Sequence, residues 1–193
     1  MNIILFVSQL PSFSKRDIDL GNTPPVVYVI IEACRYAFFL SHAIRTDVNF
    51  ALNIFQENLL ILYRGEKLRY LGPDERSQAL LLGKAVDLGR TLSQGQSKES
   101  TPGLRVWKGG WDSILSDLLG KNVLALRAGA TVVSAKEIPT LDSYVSGVGC
   151  EIPPNLSEFG NQVHLMERVL PPPYDTASLG TKILYLHHVR DTS

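Results

Sequence analysis

The densest group of reactive side chains lies between Phe38 and Val48, where His42, Arg45 and Asp47 follow two aromatic residues. Such crowding of polar groups just before a strand invites a functional reading. It also fits an ordinary helix C-terminus, with His42 and Arg45 answering the helix dipole and Asp47 solvated. Arg76 stands in Gly72-Pro73-Asp74-Glu75-Arg76, a string that equally suits a capped helix start. Arg105, Lys108 and the loop Ser100-Thr101-Pro102-Gly103 have the chemistry to hold a phosphate, or are simply exposed.

Gly147-Val148-Gly149 follows a possible strand and raises the question of dinucleotide binding. The third glycine of that fingerprint is missing, and Pro153-Pro154 stands where a phosphate-binding helix should begin. A tight turn at the carboxyl end of a sheet strand is the better account, and ligands sit at such turns in α/β proteins. His187-His188 looks like a metal or catalytic pair, but neighbouring helical residues point in different directions. With no acidic or cysteine partner at a ligand spacing, no metal site is expected.

These groups need a scaffold, and the pattern supplies one. Asn2 to Val7 reads as a buried strand, and 11–23 as a polar loop. A helix starts near Pro25 and runs to about Ser41, although its β-branched start would also suit a strand. Val48 to Phe55 and Leu59 to Tyr63 predict two strands, Lys67 to Leu71 a short extended piece, and Pro73-Asp74-Glu75-Arg76 the opening of a helix. Thr91 to Gly103, rich in Ser, Gln and Lys, reads as a linker. Beyond it, strands at 104–107, 123–127, 143–146 and 166–170 alternate with helices at 111–119 and 177–189. That alternation predicts an α/β fold with a mostly parallel sheet and helices on both faces.

Bulk properties narrow the class. The 193 residues fit one domain, and nineteen basic residues balance nineteen acidic ones, so net charge neither favours nor excludes nucleic acid. Cys34 and Cys150 lack metal-ligand spacing, and Cys34 sits in an apolar run that suits a buried reduced thiol. No signal peptide or membrane span is evident, since Glu32 and Arg35 interrupt the strongest apolar stretch, 24–40. The expectation is a soluble, cytoplasmic protein whose apolar helix packs against a second subunit.

Three strings in order, AFFLSHAIRTDV, RGEKLRYLGPDERSQALLLGKAV and STPGL, resemble the archaeal tRNA pseudouridine N1-methyltransferases of the SPOUT class. The resemblance covers about residues 35 to 130. It implies a single SPOUT domain over 1–193, with substrate-side motifs in 1–92 and a cofactor-binding part, closed by a C-terminal trefoil knot, in 104–193. It also implies a homodimer acting on tRNA with S-adenosyl-L-methionine (SAM) as cofactor. The implied cofactor residues are Leu126, Gly147, Leu170, Pro171, Pro172, Pro173, Tyr174 and Ala177. Asp47 becomes the candidate for accepting a proton or orienting the base, and Arg45 for holding phosphate or a uracil carbonyl. The two charges are also expected to pair with each other. His42, Arg76, Arg105 and Lys108 become the RNA-contacting set. A Gly-Asp-His-x-Gly loop is expected where the chain has Gly147-Val148-Gly149-Cys150-Glu151, and a Ser-Leu-containing loop where it has Pro171-Pro172-Pro173. Two other readings stay open: a SPOUT methyltransferase with another rRNA or tRNA target, and a non-catalytic RNA-binding relative.

Overall fold

In the computed structural model, which describes residues 1–40, 42–153, 156 and 163–193, five strands run parallel. They are β1 (Asn2–Val7), β2 (Asn49–Ile54), β6 (Asn122–Leu126), β7 (Ser143–Val148) and β8 (His164–Arg168), lying side by side as β2-β1-β7-β6-β8. Beyond β2 the sheet continues antiparallel through β3 (Leu59–Arg64), β5 (Leu104–Lys108) and the edge strand β4 (Gln96–Thr101). The expected mostly parallel α/β sheet is therefore present, with an antiparallel wing.

The central strands are apolar on both sides because both faces are covered. In β1, Ile3, Leu5 and Val7 enter one core, and Ile4 and Phe6 the other. Three long helices cover the first face: α2 (Pro25–Phe38), α3 (Glu75–Thr91) and α5 (Leu179–Thr192). Only the short α4 (Asp112–Leu119) covers the second face among the described helices. It leaves the second face of the antiparallel wing partly open.

Local chemistry sets the helix ends. Pro25 takes the first position of α2, where its missing N–H costs nothing. The Asp74 carboxylate accepts from the Ser77 N–H at 2.7 Å and starts α3, and the Ser178 hydroxyl does the same for α5 from Thr181. Gly120 closes α4 at φ 68°, and a Cβ there would sit 2.5 Å from the Asp142 side chain.

Two expectations are corrected. The polar segment 11–23 contains a helix, α1 (Lys15–Asp19), because Ser14 and Asp17 form a reciprocal capping box. The supposed linker 91–103 contains β4: its polar composition is that of an exposed edge strand, and pairing with β5 supplies the hydrogen bonds. Residues 67–71 leave a 3₁₀ turn at Lys67 and continue as unpaired chain, extended at Leu68. Within the chain, α3, α5 and the sheet pack against the apolar α2 and leave its Tyr28 45% exposed. Ser41, the expected end of that helix, and Pro154 lie outside the described residues.

Candidate active site

Parallel strands give the sheet two chemically distinct rims. Leu126 ends β6, Gly147 lies near the end of β7, and Leu170 follows β8, so all three stand at the carboxyl rim. Asp47 and Arg45 precede β2, at the amino rim. Within one chain the expected cofactor segments and the expected catalytic pair are thus separated by the length of a strand, roughly 16–20 Å.

At the carboxyl rim the backbone dominates. The chain folds back so tightly after β7 that a Cβ on Gly147 would lie 1.9 Å from the Cys150 carbonyl oxygen. Leu126 is half-buried and Leu170 fully buried. The 170–177 loop turns through a cis Pro172–Pro173 bond, and Tyr174 accommodates it by stacking on Tyr185 of α5 with ring centroids 4.3 Å apart. The Tyr174 N–H is used by the Pro171 carbonyl and the Ala177 N–H by the Tyr174 carbonyl. The carbonyls of Leu170 and Pro172 have no hydrogen-bond partner among the described residues.

At the amino rim charge dominates. Arg45 and Asp47 do not pair with each other. Arg45 forms a two-pronged ion pair with Asp191 near the end of α5, through Nη1–Oδ1 at 3.0 Å and a second contact from Nη2 to Oδ2. Asp47 lies 3.8 Å from Arg190 and is 60% exposed, free to meet a substrate. The expected pairing fails because α5 brings its own acid and base to the loop. The Arg45 guanidinium holds the Asp191 carboxyl below its usual range. Beneath these pairs His187 is 1% exposed, and neither ring nitrogen has a partner. Burial above all, then the Arg45 charge, lowers its pKa from 6.5 to about 4, so it is neutral near pH 7. His188 is exposed, as its helical offset requires.

A glycine seats this loop. Gly65 lies so close that a Cβ would be 2.4 Å from the Arg45 carbonyl and 2.5 Å from that of Val48, and its N–H bonds the Val48 carbonyl. From Asp47 a cleft of about 440 Å³ runs along the open second face past Thr46, Asn49, Arg64 and Asp117. It meets a second cleft, of about 510 Å³, that shares Arg64 and Ile114 and adds Lys67, Arg105 and Trp107. Arg64 makes no side-chain hydrogen bond or ion pair to any described residue, and Arg105 lies over the Trp107 ring at 5.9 Å. Sequence reasoning did not single out Arg64 or Trp107. The signal was there: in Leu59–Arg64 strict alternation puts Leu60, Leu62 and Arg64 on one face.

The other expected RNA contacts do not converge. His42 is exposed, Arg76 lies on the α3 side and is bonded to Asp19 at 2.6 Å, and the Lys108 ammonium donates to the Glu57 carbonyl. Only Arg105 shares the open face with Asp47's cleft. No cluster of three or more His, Cys, Asp or Glu among the described residues is arranged for a metal, and none of the described helices is long and apolar enough to cross a membrane.

Known proteins resemble this chain across both rims. A Haloarcula marismortui protein named tRNA (pseudouridine(54)-N(1))-methyltransferase is 35% identical over 108 residues, 56% of this chain and 53% of its own. Its namesake from Methanocella arvoryzae is 30% identical over 138 residues, covering 70% of this chain and 69% of that protein. For the first of these, as for the Haloferax volcanii protein of the same name, the match spans about half the relative's length. The crystal structure of Archaeoglobus fulgidus Nep1 bound to S-adenosylhomocysteine superimposes with a TM-score of 0.61 at 13% identity, covering 99% of this chain and 96% of that one. That likeness shows the fold, a SPOUT-type α/β arrangement. The family model described as "Putative SAM-dependent RNA methyltransferase" matches residues 12–189, nearly the whole chain, and this protein therefore belongs to that family.

Proposed function

We propose that this protein is a SAM-dependent methyltransferase that methylates N1 of the T-loop pseudouridine of tRNA, the activity in its relatives' names. One observation carries the reading: Leu126, Gly147 and Leu170, far apart in sequence, end on one rim because β7, β6 and β8 are adjacent and parallel. Loops at the carboxyl ends of such strands are where α/β folds bind ligands. The implied cofactor fits this rim. Half-buried Leu126 offers an apolar contact for adenine, and the carbonyls of Leu170 and Pro172, unengaged among the described residues, suit its amino group. Pro171, Pro172 and Pro173 contribute no N–H donor, so packing and carbonyl acceptors do the holding, with Tyr174 and Ala177 closing the loop.

SAM supplies an electrophilic methyl group. Held at this rim, it would give up that methyl with cleavage of its carbon–sulfur bond and leave as S-adenosylhomocysteine, while Asp47 accepts the proton N1 gives up or orients the base for its loss. Arg45, pre-oriented by Asp191, holds phosphate or the uracil carbonyl, where its planar fork is useful. Of His42, Arg76, Arg105 and Lys108, Arg105 lies nearest the Asp47 cleft, beside Trp107, and is the one placed to meet RNA there. The two rims are too far apart to react within one chain, which supports a homodimer whose copies bring the rim of one to the opposite rim of the other. The chain acts as one domain, 1–92 serving the substrate and 104–193 the cofactor. The family resemblance implies that the cofactor part is closed by a C-terminal trefoil knot. A tRNA-modifying role places the protein in the cytoplasm.

Nucleoside mass spectrometry after incubation with SAM and pseudouridylated tRNA tests this. A methylated pseudouridine is expected, and its absence with full retention of SAM binding moves the target to another nucleotide. The loss of three N–H donors at 171–173 favours a second reading, an RNA-binding relative without transfer. Calorimetry decides, because that relative gives no SAM binding.

A further inference from the structure

The strings Gly72–Arg76 and Ser100–Gly103 are brought together on the α3 side of the sheet, away from Asp47's cleft. Between them lies a groove of about 630 Å³ lined by Tyr70, Arg76, Leu80, Lys84, Ser100 and Thr101, among others. The groove is built by specific contacts. Gly72 donates to the Ser77 hydroxyl, and Gln78 Nε2 donates to the Gly72 carbonyl at 3.0 Å. Gly103, at φ 82°, lets the far wall lie against the backbone of 67–68, where a Cβ would come within 2.5 Å.

Three features point to the occupant. Tyr70 is 75% exposed, more than any other large hydrophobic side chain among the described residues. The Ser100 hydroxyl in the groove wall is buried with no hydrogen-bond partner. The lining carries two cations and no carboxylate: Lys84 makes no ion pair with a described residue, and Arg76 is steered by Asp19 from behind. An exposed aromatic ring beside an unpaired lysine and an arginine held by Asp19 matches single-stranded nucleic acid, whose bases stack and whose phosphates need charge. A duplex has no free base face to offer Tyr70.

We propose that this groove binds a single-stranded RNA segment, with an unpaired base on Tyr70, its phosphate between Lys84 and Arg76, and the Ser100 hydroxyl bonded to the backbone. The inference rests on the reading that the protein acts on RNA, and it adds a second contact away from the reacting nucleotide.

Fluorescence anisotropy with the full-length protein, using labelled oligouridylate and labelled tRNA, tests it. Tyr70→Ala weakens oligouridylate binding by about tenfold, and Tyr70→Phe restores it. Lys84→Ala weakens binding a few-fold and lowers the salt slope by about one, and Lys84→Arg restores both. Wild-type affinity in Tyr70→Ala overturns the groove while leaving the methyltransferase reading intact. Weakened binding in Tyr70→Ala, with a wild-type protein that transfers no methyl group, upholds the groove and overturns the reaction. A wild-type protein that binds neither RNA overturns both.

Discussion

The two rims of the parallel sheet differ in how they hold a ligand. At the carboxyl rim, three loops present backbone, leucines and prolines, with a glycine turn too tight for a side chain. At the amino rim, four charged side chains pair across from the loop before β2 to the end of α5, above a buried neutral histidine. A flat, largely neutral ring needs shape and a few backbone acceptors, which survive sequence drift. A polyanion and a proton need charges at fixed places, which survive only if something else fixes them. Here α5 spans both rims, because it begins beside the 170–177 loop, where Tyr185 stacks on Tyr174, and ends at Arg45.

The sharpest way to break that comparison is complementation between rims. Asp47→Asn is expected to lower single-turnover transfer about a hundredfold while SAM affinity stays unchanged. Gly147→Ala is expected to do the converse, weakening SAM binding through the displaced Cys150 backbone. Mixed one to one, the two inactive proteins should recover about a quarter of wild-type activity if each site uses both rims from different copies. No recovery in dimers shown to exchange would return the whole site to one chain. The bland account of Asp47, a structural ion pair, predicts unchanged turnover and a lower melting temperature. An exposed pair at 3.8 Å contributes under about 1 kcal/mol, so the melting temperature should hardly move.

The next effect concerns acid. His187 has a folded pKa of about 4 against 6.5 unfolded, so the unfolded chain binds the proton first as pH falls. Stability is therefore full above about pH 6.5 and declines toward pH 4, by roughly 3 kcal/mol in total. His187→Leu should flatten that limb in denaturant titrations at stepped pH. The Asp191 carboxyl contributes with the same sign but lower down: its pKa is depressed, so its share is present above pH 3.8 and lost below it. A limb unchanged in His187→Leu would assign the acid sensitivity elsewhere.

Arg45→Ala sharpens the amino rim. It leaves the half-exposed Asp191 without its partner, at a cost of up to about 1 kcal/mol in thermal unfolding, and weakens RNA binding with a salt slope smaller by about one. Asp191→Asn keeps the Arg45 charge but frees its orientation, so it should affect transfer more than RNA affinity. The smallest effect is expected at Lys108, whose ammonium is engaged by the Glu57 carbonyl on the far edge of the sheet. Lys108→Ala should change tRNA affinity by less than about 0.5 kcal/mol in anisotropy, well below Arg105→Ala.

The alternation of apolar runs, Pro25 at a helix start and Asp74 as a cap were enough to foresee β1, α2, the β2–β3 hairpin, α3 and the strands of the second half. These features act within a few residues of each other, through periodicity, fixed φ and capping hydrogen bonds. The strings around Arg45, Arg76 and Ser100 likewise pointed to the family before any fold was seen. Residues 96–101 stayed hidden as a strand because an edge strand is defined by its partner, and a polar one has no signature of its own. The partner of Arg45 stayed hidden for the same reason: Asp191 lies 146 residues away and is brought near only by the packing of α5. Charges adjacent in sequence suggested a pair, but the loop's geometry and the helix end chose the partners. What the amino-acid order determined by itself was most of the local elements and the family resemblance. Only the tertiary structure decided that cofactor loops and charged loop stand on opposite rims, because strand direction is a property of the assembled sheet.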